Sequence, residues 1–341
     1  MNHHAHSLFA HILPALVFLI ALNGCGDDVL TASSSGEAPT TPDVPVTPDS
    51  PECETPEPAL FSVSNDEPAE LLLVLDRSGS MTESGQWMEL QRSLESLLVA
   101  FDESIAFGLL LFPEIGFNAC GVGDVSISPA LRSGTRILDL IGRATPLGGT
   151  PTADALIKAK AHLETLPATR KAVILATDGG PGCNSDLDWS TCECIEGSMC
   201  TGFAANCLDD TRTLNAVNLL SRAALPTYVV GIPGSEGVND LLDRMAVPGG
   251  TDIDGEHLAI SSERSLASTF SDIAVDWSPC SFPIIPDQPL ERVTVDGQEV
   301  AESAQGYTIS SDGRTLTFGG TACGLLRDTD VHEVKIEYGC P

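Results

Sequence analysis

Short, uninterrupted apolar runs alternate with segments of helical periodicity over most of this 341-residue chain. The run at 71–75 contains no polar residue and ends at Asp76, which is typical of a strand buried on both faces of a sheet. At 87–101 the apolar residues recur every three or four positions, as they do on one face of a helix. By the same criteria we predict strands at 105–112, 122–127 (a short edge strand), 172–176, 227–232 and 257–260, and helices at 132–142, 152–165, 209–223, 237–246 and 262–277. Strands separated by helices predict an α/β fold with a doubly wound, mostly parallel sheet flanked by helices.

The last part of the chain, 278–341, has a different pattern. Strand-like alternation on both sides of Asp296-Gly297 predicts a hairpin with a two-residue turn. A second pair of strands, at 307–309 and 315–318, surrounds another turn, and 331–338 supplies a last strand. We predict a small β module stapled by disulfides, without a recognisable chemical motif.

The N-terminus has the features of an export signal. Residues 12–22 form an apolar run that is too short to cross a bilayer as a helix but fits the core of a signal peptide. The tetrapeptide L-N-G-C that ends at Cys25 resembles a bacterial lipobox, although no Lys or Arg precedes Arg77. We therefore predict a lipoprotein signal peptide at 1–24, lipidation of Cys25 and display at the outer membrane of a Gram-negative bacterium. The alternative is an ordinary cleaved signal peptide.

Proline content and charge bear on the region before the folded part and on the class of partner. Residues 25–68 are rich in Pro, Thr and acidic residues, a composition that favours an extended tether. The whole chain has 48 Asp and Glu against 17 Lys and Arg, a formal charge of −31. Such a surface repels phosphate backbones, so nucleic acid is excluded as the expected partner.

The chain has 11 cysteines, a density that suits an oxidising compartment. Lipidation of Cys25 would leave an even number for disulfides. Five cysteines lie in an insert at 182–207, where disulfides are favoured over a zinc site because the spacing is irregular and no histidine is near. Since five is odd, one outside partner is needed, and Cys120 is the natural candidate. For the remaining cysteines we predict the pairs Cys53–Cys280 and Cys323–Cys340.

Polar residues follow two of the predicted strands directly. Asp76, Ser78 and Ser80 form a D-x-S-x-S motif after the first strand, Thr150 opens a later helix, and Asp178 ends the strand after that. Ligands of parallel α/β sheets bind outside the carboxyl ends of the strands. Hydroxyl and carboxylate oxygens are hard ligands that suit Mg²⁺ or Mn²⁺. The alternative is that the serines and the threonine merely cap helices.

The order D-x-S-x-S, Thr, Asp resembles the von Willebrand factor type A family over residues 69–277, which we call the head. The resemblance implies a metal-ion-dependent adhesion site that holds Mg²⁺, alternatively Mn²⁺ or Ca²⁺. It implies that Ser78 and Ser80 bind the metal directly, Thr150 in the ligand-competent state, and Asp76 and Asp178 largely through water. It further implies that the cation accepts an Asp or Glu from a protein or matrix partner.

These expectations favour a surface-anchored adhesion protein, with a structural scaffold as the alternative in which the metal only stabilises the fold. A metal-dependent hydrolase is the less favoured alternative, because the sequence has no G-x-S-x-G elbow, P-loop or H-E-x-x-H motif. We therefore predict a binding protein that is not an enzyme.

Overall fold

The computed structural model describes residues 55–64, 67–114, 119–195, 199–261, 264–310 and 312–340. The predicted signal peptide, the predicted lipidation site Cys25 and most of the predicted tether lie outside these residues. The strands are β1 (Ala59–Val63), β2 (Glu70–Asp76), β3 (Ala106–Phe112), β4 (Ile127–Ala130), β5 (Lys171–Thr177), β6 (Thr227–Gly231), β7 (Leu258–Ala259), β8 (Ser281–Pro283), β9 (Leu290–Val295), β10 (Gln298–Glu299), β11 (Tyr307–Ile309), β12 (Thr315–Phe318) and β13 (His332–Tyr338). The α-helices are α1 (Gln86–Phe101), α2 (Gly134–Arg143), α3 (Thr152–Leu163), α4 (Asp210–Arg222), α5 (Asn239–Gly249), α6 (Leu266–Trp277) and α7 (Gly320–Leu326).

The head is built on a six-stranded sheet with the order β4-β3-β2-β5-β6-β7. All neighbouring strands are parallel except β3 and β4, which run antiparallel. The central strand β2 has β3 on one side and β5 on the other, in a register that pairs Leu75 with Leu111 and Ala176. This architecture confirms the predicted α/β class with a mostly parallel sheet.

Each face of the sheet packs on its own set of helices. Leu71, Leu73 and Leu75 of β2 point into a core shared with α1, α2 and α6. Leu72 and Val74 point into the opposite core, shared with α3, α4 and α5. Because successive side chains of a strand face opposite sides, an uninterrupted apolar run is what a strand covered on both faces requires.

The prediction of an edge strand at 122–127 is wrong, because the edge strand β4 begins only at Ile127. Val122 and Val125 pack against the core from a loop instead. β4 lies very close to β3, so that a Cβ atom at Gly108 would come within 2.6 Å of Pro129. A proline is tolerated there because an edge strand can lack a backbone donor on its open side.

A third core lies in the β module, where the sheets β1-β13-β9-β10 and β11-β12-β8 share the side chains of one apolar cluster. The predicted hairpin turn is present, with positive φ angles at both Asp296 and Gly297. The short helix α7 was not predicted from its glycine-containing sequence.

The predicted tether requires a correction at its end. Ala59–Val63 form β1, which pairs antiparallel with β13 along its whole length. Phe61 and Val63 contribute to the core of the β module, whereas Leu60 is exposed. Local composition, dominated by prolines up to Pro58, concealed this strand because its hydrogen-bonding partner lies at the far end of the chain. The head is consequently inserted between β1 and β8 of the β module.

No helix in the described part of the chain is both long enough and apolar enough to span a membrane.

Candidate metal centre

Two aspartates lie side by side where adjacent parallel strands end. Asp76 is the last residue of β2, and Asp178 directly follows β5. Both are buried, with exposed fractions of 0% and 2%. Since β2 and β5 are neighbours in the sheet, their carboxyl ends bring these two side chains to the same edge, as the sequence predicted.

Asp76 lies beneath the site, with each carboxylate oxygen already engaged. Its Oδ1 accepts a hydrogen bond from the backbone N–H of Ser78 at 2.7 Å. Its Oδ2 accepts one from the Thr177 hydroxyl at 2.6 Å. Asp76 therefore holds the first turn of the D-x-S-x-S loop in place. Thr177 was not predicted as a site residue; its position at the last residue of β5, directly before Asp178, was the only available signal.

The two serines connect the loop after β2 to Asp178. The Ser78 and Ser80 hydroxyl oxygens are 3.1 Å apart. The Ser80 hydroxyl donates a hydrogen bond to Asp178 Oδ1 at 2.8 Å. This pattern places both hydroxyls on the same side of the loop, towards the aspartate.

Thr150 reaches the same place from a third segment of the chain. The loop before it is held against the D-x-S-x-S loop, because the Gly79 N–H donates to the Gly148 carbonyl at 3.0 Å. The carbonyl of Thr150 itself accepts from the Gly182 N–H at 2.8 Å. Backbone hydrogen bonds thus connect the Thr150 loop both to the end of β2 and to the start of the insert.

These side chains open into one cavity of about 390 Å³. The described residues that line it are Ser78, Gly79, Ser80, Glu83, Gly148, Gly149, Thr150, Asp178, Gly179, Gly180, Ile195, Ala205, Asn206, Gly234, Gly237 and Val238. They include no Lys, Arg or His. Four of the five predicted ligands therefore share the cavity, and Asp76 lies behind it.

The electrostatics of the two carboxyl groups are unusual. Burial raises the pKa of Asp76 above its ordinary value, against the opposing effect of its hydrogen bonds to Thr177 and Ser78. Burial also raises the pKa of Asp178, and the neighbouring charge of Asp76 raises it further. Two buried, adjacent carboxylates without a cationic side chain are unfavourable when both are ionised.

The donor set fits a small, hard dication. Asp178 Oδ2 is buried and has no hydrogen-bond partner among the described residues. A buried polar atom without a partner is costly, so it points to a ligand that completes the site. Three hydroxyls and one free carboxylate oxygen are ligands that Mg²⁺ or Mn²⁺ accepts. Ser78, Ser80, Thr150 and Asp178 could hold such an ion, with Asp76 as a positioning residue.

No family model matches this sequence, and no curated protein matches it. Solved structures do match. The pilus adhesin SpaC from Lactobacillus rhamnosus GG, in its open conformation, aligns with a TM-score of 0.49 at 15% identity over 84% of this chain and 42% of that chain. A von Willebrand factor type A protein from Catenulispora acidiphila aligns with a TM-score of 0.43 at 13% identity, over 86% and 67% of the two chains. Manganese-loaded TRAP protein from Plasmodium vivax aligns with a TM-score of 0.39 at 20% identity, over 57% and 67%.

This chain spans less than half the length of the SpaC chain. The head is an α/β domain with a mostly parallel sheet, and the D-x-S-x-S loop follows its central strand directly.

The insert of the head begins at the cavity and is held by three disulfides. Cys120 pairs with Cys183, which confirms the predicted outside partner of the insert. The other two bridges lie within the insert, so these cysteines cannot serve as the thiolate ligands of a zinc site. The remaining predictions are wrong: Cys280 pairs with Cys323, which excludes both Cys53–Cys280 and Cys323–Cys340. The physical reason is that α7 carries Cys323 next to β8, a contact that no local pattern indicated.

Proposed function

We propose that this protein is a surface-displayed binding protein that uses a divalent cation to capture an acidic side chain of a protein or matrix partner. Ser78, Ser80, Thr150 and Asp178 would hold the cation, Mg²⁺ in the first instance and Mn²⁺ or Ca²⁺ as alternatives. The observation that carries this proposal is the shared cavity, in which three separate segments present these side chains and one buried carboxylate oxygen has no hydrogen-bond partner in the described part of the chain.

The chemistry of the lining supports an acidic partner. A bound dication would supply Lewis acidity and positive charge at the cavity, because the hydroxyl ligands are neutral and offset little of its charge. The described lining offers no cationic side chain, and the chain as a whole has a formal charge of −31. A carboxylate partner would therefore be repelled from the metal-free cavity and attracted to the loaded one.

The lining also supports binding rather than hydrolysis. General bases and nucleophiles in hydrolases are most often imidazole, amine, thiol or an activated serine. Among the described residues that line the cavity there is no His, Lys or Cys. The two serine hydroxyls lie against each other, and that of Ser80 also donates to Asp178, an arrangement that suits a ligand set.

The predicted export features complete the proposal. A lipoprotein signal at 1–24, lipidation of Cys25 and a tether that ends before β1 would hold the folded part away from a membrane. The disulfides of the insert and of the β module support an oxidising, exported location. Display on the outer membrane of a Gram-negative bacterium rests on the sequence around Cys25 alone.

The first test measures metal binding directly. Mn²⁺ titration followed by electron paramagnetic resonance would compare the wild type with Ser80→Ala, which removes one predicted ligand. Ser96→Ala is the matched control, because Ser96 is exposed on α1 and its hydroxyl bonds only to the Arg92 carbonyl in its own helix. We expect at least about a tenfold loss of Mn²⁺ affinity for Ser80→Ala and none for the control.

The second test measures capture. Beads coated with each protein would be placed on purified collagen, fibrinogen, fibronectin and laminin, in Mg²⁺ or in EDTA. Adhesion that needs Mg²⁺ and disappears in Ser80→Ala, while the head stays folded, supports the proposal. A head that melts in this variant without any change in adhesion would favour the scaffold. Turnover of a model ester that chelation abolishes would favour the hydrolase.

A further inference from the structure

Large apolar side chains are exposed on segments that line the cavity. Leu147 is 60% exposed, Met199 79% and Phe203 63%. We call these three residues the apolar rim. Exposed apolar residues are common singly, but several around one cavity are typical of a site that another molecule covers.

The apolar rim is tied to the segments that line the cavity. Leu147 directly precedes the glycines that lead to Thr150. In the insert, Asn206 lines the cavity and bonds to the backbone of both other rim residues: its side-chain amide donates to the Met199 carbonyl at 2.8 Å, and its backbone N–H donates to the Phe203 carbonyl at 3.0 Å. A ligand in the cavity would consequently lie beside the segments that carry the rim.

The lining of the cavity is also mixed in character. Ser78, Ser80, Thr150 and Asp178 contribute oxygen atoms, whereas Ile195, Ala205 and Val238 contribute apolar side chains. A bound group would therefore meet both hard oxygen ligands and methyl groups. This mixture favours a ligand that is itself acidic at one point and apolar beside it.

Two disulfides constrain the part of the insert that carries Met199 and Phe203. Cys200, which directly follows Met199, pairs with Cys194, and Cys192–Cys207 closes a longer loop that contains both rim residues. The Ile195 N–H donates to the Asn206 carbonyl at 3.0 Å, which adds a backbone connection across the insert. A surface that is already ordered binds with a smaller loss of conformational entropy.

Charge restricts the partner further. Glu83 lines the cavity beside Asp178, and no cationic side chain is present among the described lining residues. A second acidic group next to the coordinated one would be repelled, because a single cation can balance only part of the negative charge. Neutral, apolar residues beside the coordinated acidic group would bury apolar surface on the rim without this electrostatic repulsion.

We propose that the partner presents a single acidic side chain flanked by large apolar side chains, such as Leu or Phe, on a protruding loop. The acidic group enters the cavity while its apolar neighbours pack on Leu147, Met199 and Phe203. This inference rests on the proposed function and names the partner's chemistry.

The test uses cyclic hexapeptides on beads, with one Asp fixed and the other positions drawn from Gly, Ser, Lys, Glu, Leu and Phe. Beads that bind the labelled protein in Mg²⁺ and release it in EDTA are sequenced. We expect enrichment of Leu and Phe beside the Asp and depletion of Glu. The best peptide is then titrated against the double variant Met199→Ser, Phe203→Ser, with Val99→Ser as the control, since Val99 is 81% exposed on α1 and does not line the cavity.

We expect the double variant to lose about tenfold or more in peptide affinity while its Mn²⁺ affinity stays within about twofold of the wild type. Peptides that need Mg²⁺ and Asp but show no apolar preference would overturn this inference and leave the proposed function standing. Unchanged peptide affinity in the double variant would do the same. Absence of any EDTA-sensitive peptide would instead overturn the proposed function with it. A Mg²⁺-dependent dimer that the double variant abolishes would identify a second copy of this chain as the occupant and refute the peptide loop.

Discussion

Removal of the Cys120–Cys183 disulfide is expected to weaken metal binding at the proposed site as well as the fold. The bridge joins the segment after β3 to the start of the insert. It touches the Thr150 loop, because a Cβ atom added at Gly149 would lie 2.6 Å from the Cys183 sulfur and 3.3 Å from the Cys120 sulfur. The disulfide therefore supports one side of the loop that presents Thr150.

The loss of stability can be calculated from the length of chain that the bridge closes. Its two cysteines are 63 residues apart, which corresponds to about 4 kcal/mol of unfolding free energy in the chain-entropy description. The Cys280–Cys323 bridge of the β module spans 43 residues and is also worth about 4 kcal/mol. Replacing both cysteines of either bridge with serine should thus cost a similar amount of stability.

The two double variants should differ in metal binding. We expect Cys120→Ser, Cys183→Ser to lower Mn²⁺ affinity by about tenfold, because groups that position metal ligands typically contribute that much. Cys280→Ser, Cys323→Ser should leave the affinity unchanged, since that bridge lies in the core of the β module. Urea unfolding measures the loss of stability, and electron paramagnetic resonance of bound Mn²⁺ measures the change in metal affinity.

Two results would refute this reasoning. Equal Mn²⁺ affinities in both variants and the wild type would mean that the backbone hydrogen bonds alone hold the Thr150 loop. Equal losses in both variants would mean that affinity follows global stability, with no special role for the bridge beside the cavity.

Three other predictions concern pH and packing. Because burial raises the pKa of Asp178, the folded metal-free protein binds a proton there more tightly than the unfolded chain, and its stability falls as pH rises above the ordinary carboxyl range. We would measure urea unfolding of Asp178→Asn and the wild type in EDTA. The difference in unfolding free energy between them should change by more than about 1 kcal/mol in favour of Asp178→Asn from pH 5 to pH 8. A difference that does not change with pH would contradict the raised pKa of Asp178. Hydrogen bonds to two aspartates raise the pKa of His332, so its contribution to stability is complete below pH 6.5 and is lost as pH rises through the pKa of the folded state. His332→Gln should remove this part of the pH dependence of the unfolding free energy. A pH profile of the variant that runs parallel to that of the wild type would count against this prediction. The ring of Phe61 lies 4.9 Å from a phenylalanine ring of the β-module core, whereas Leu60 is exposed. In thermal unfolding, Phe61→Ser should lower the free energy of unfolding by about 2 kcal/mol and Leu60→Ser by less than about 0.5 kcal/mol.

Much of the head was predictable from local pattern. Strands β2 and β5 are uninterrupted apolar runs that end at polar residues, so both their location and the place of Asp76 and Asp178 followed from the sequence. The edge strand was mispredicted because Val122 and Val125 have the apolar character of a strand but pack from a loop. Thr177 was missed because a threonine at the end of a strand has no distinctive pattern until its partner, Asp76, is known.

The contacts that complete the site were beyond the reach of sequence patterns. Ser80 bonds to a carboxylate 98 residues away, and β1 pairs with a strand near the other end of the chain. Apolar periodicity and the D-x-S-x-S spacing are local properties, so the sequence alone determined the α/β class and the types of atom offered to a metal. Disulfide partners, the host module of β1 and the apolar rim beside the cavity depend on how distant segments pack together. Only the tertiary structure decided these, because the free energy of such contacts belongs to the folded chain as a whole and to no single segment of it.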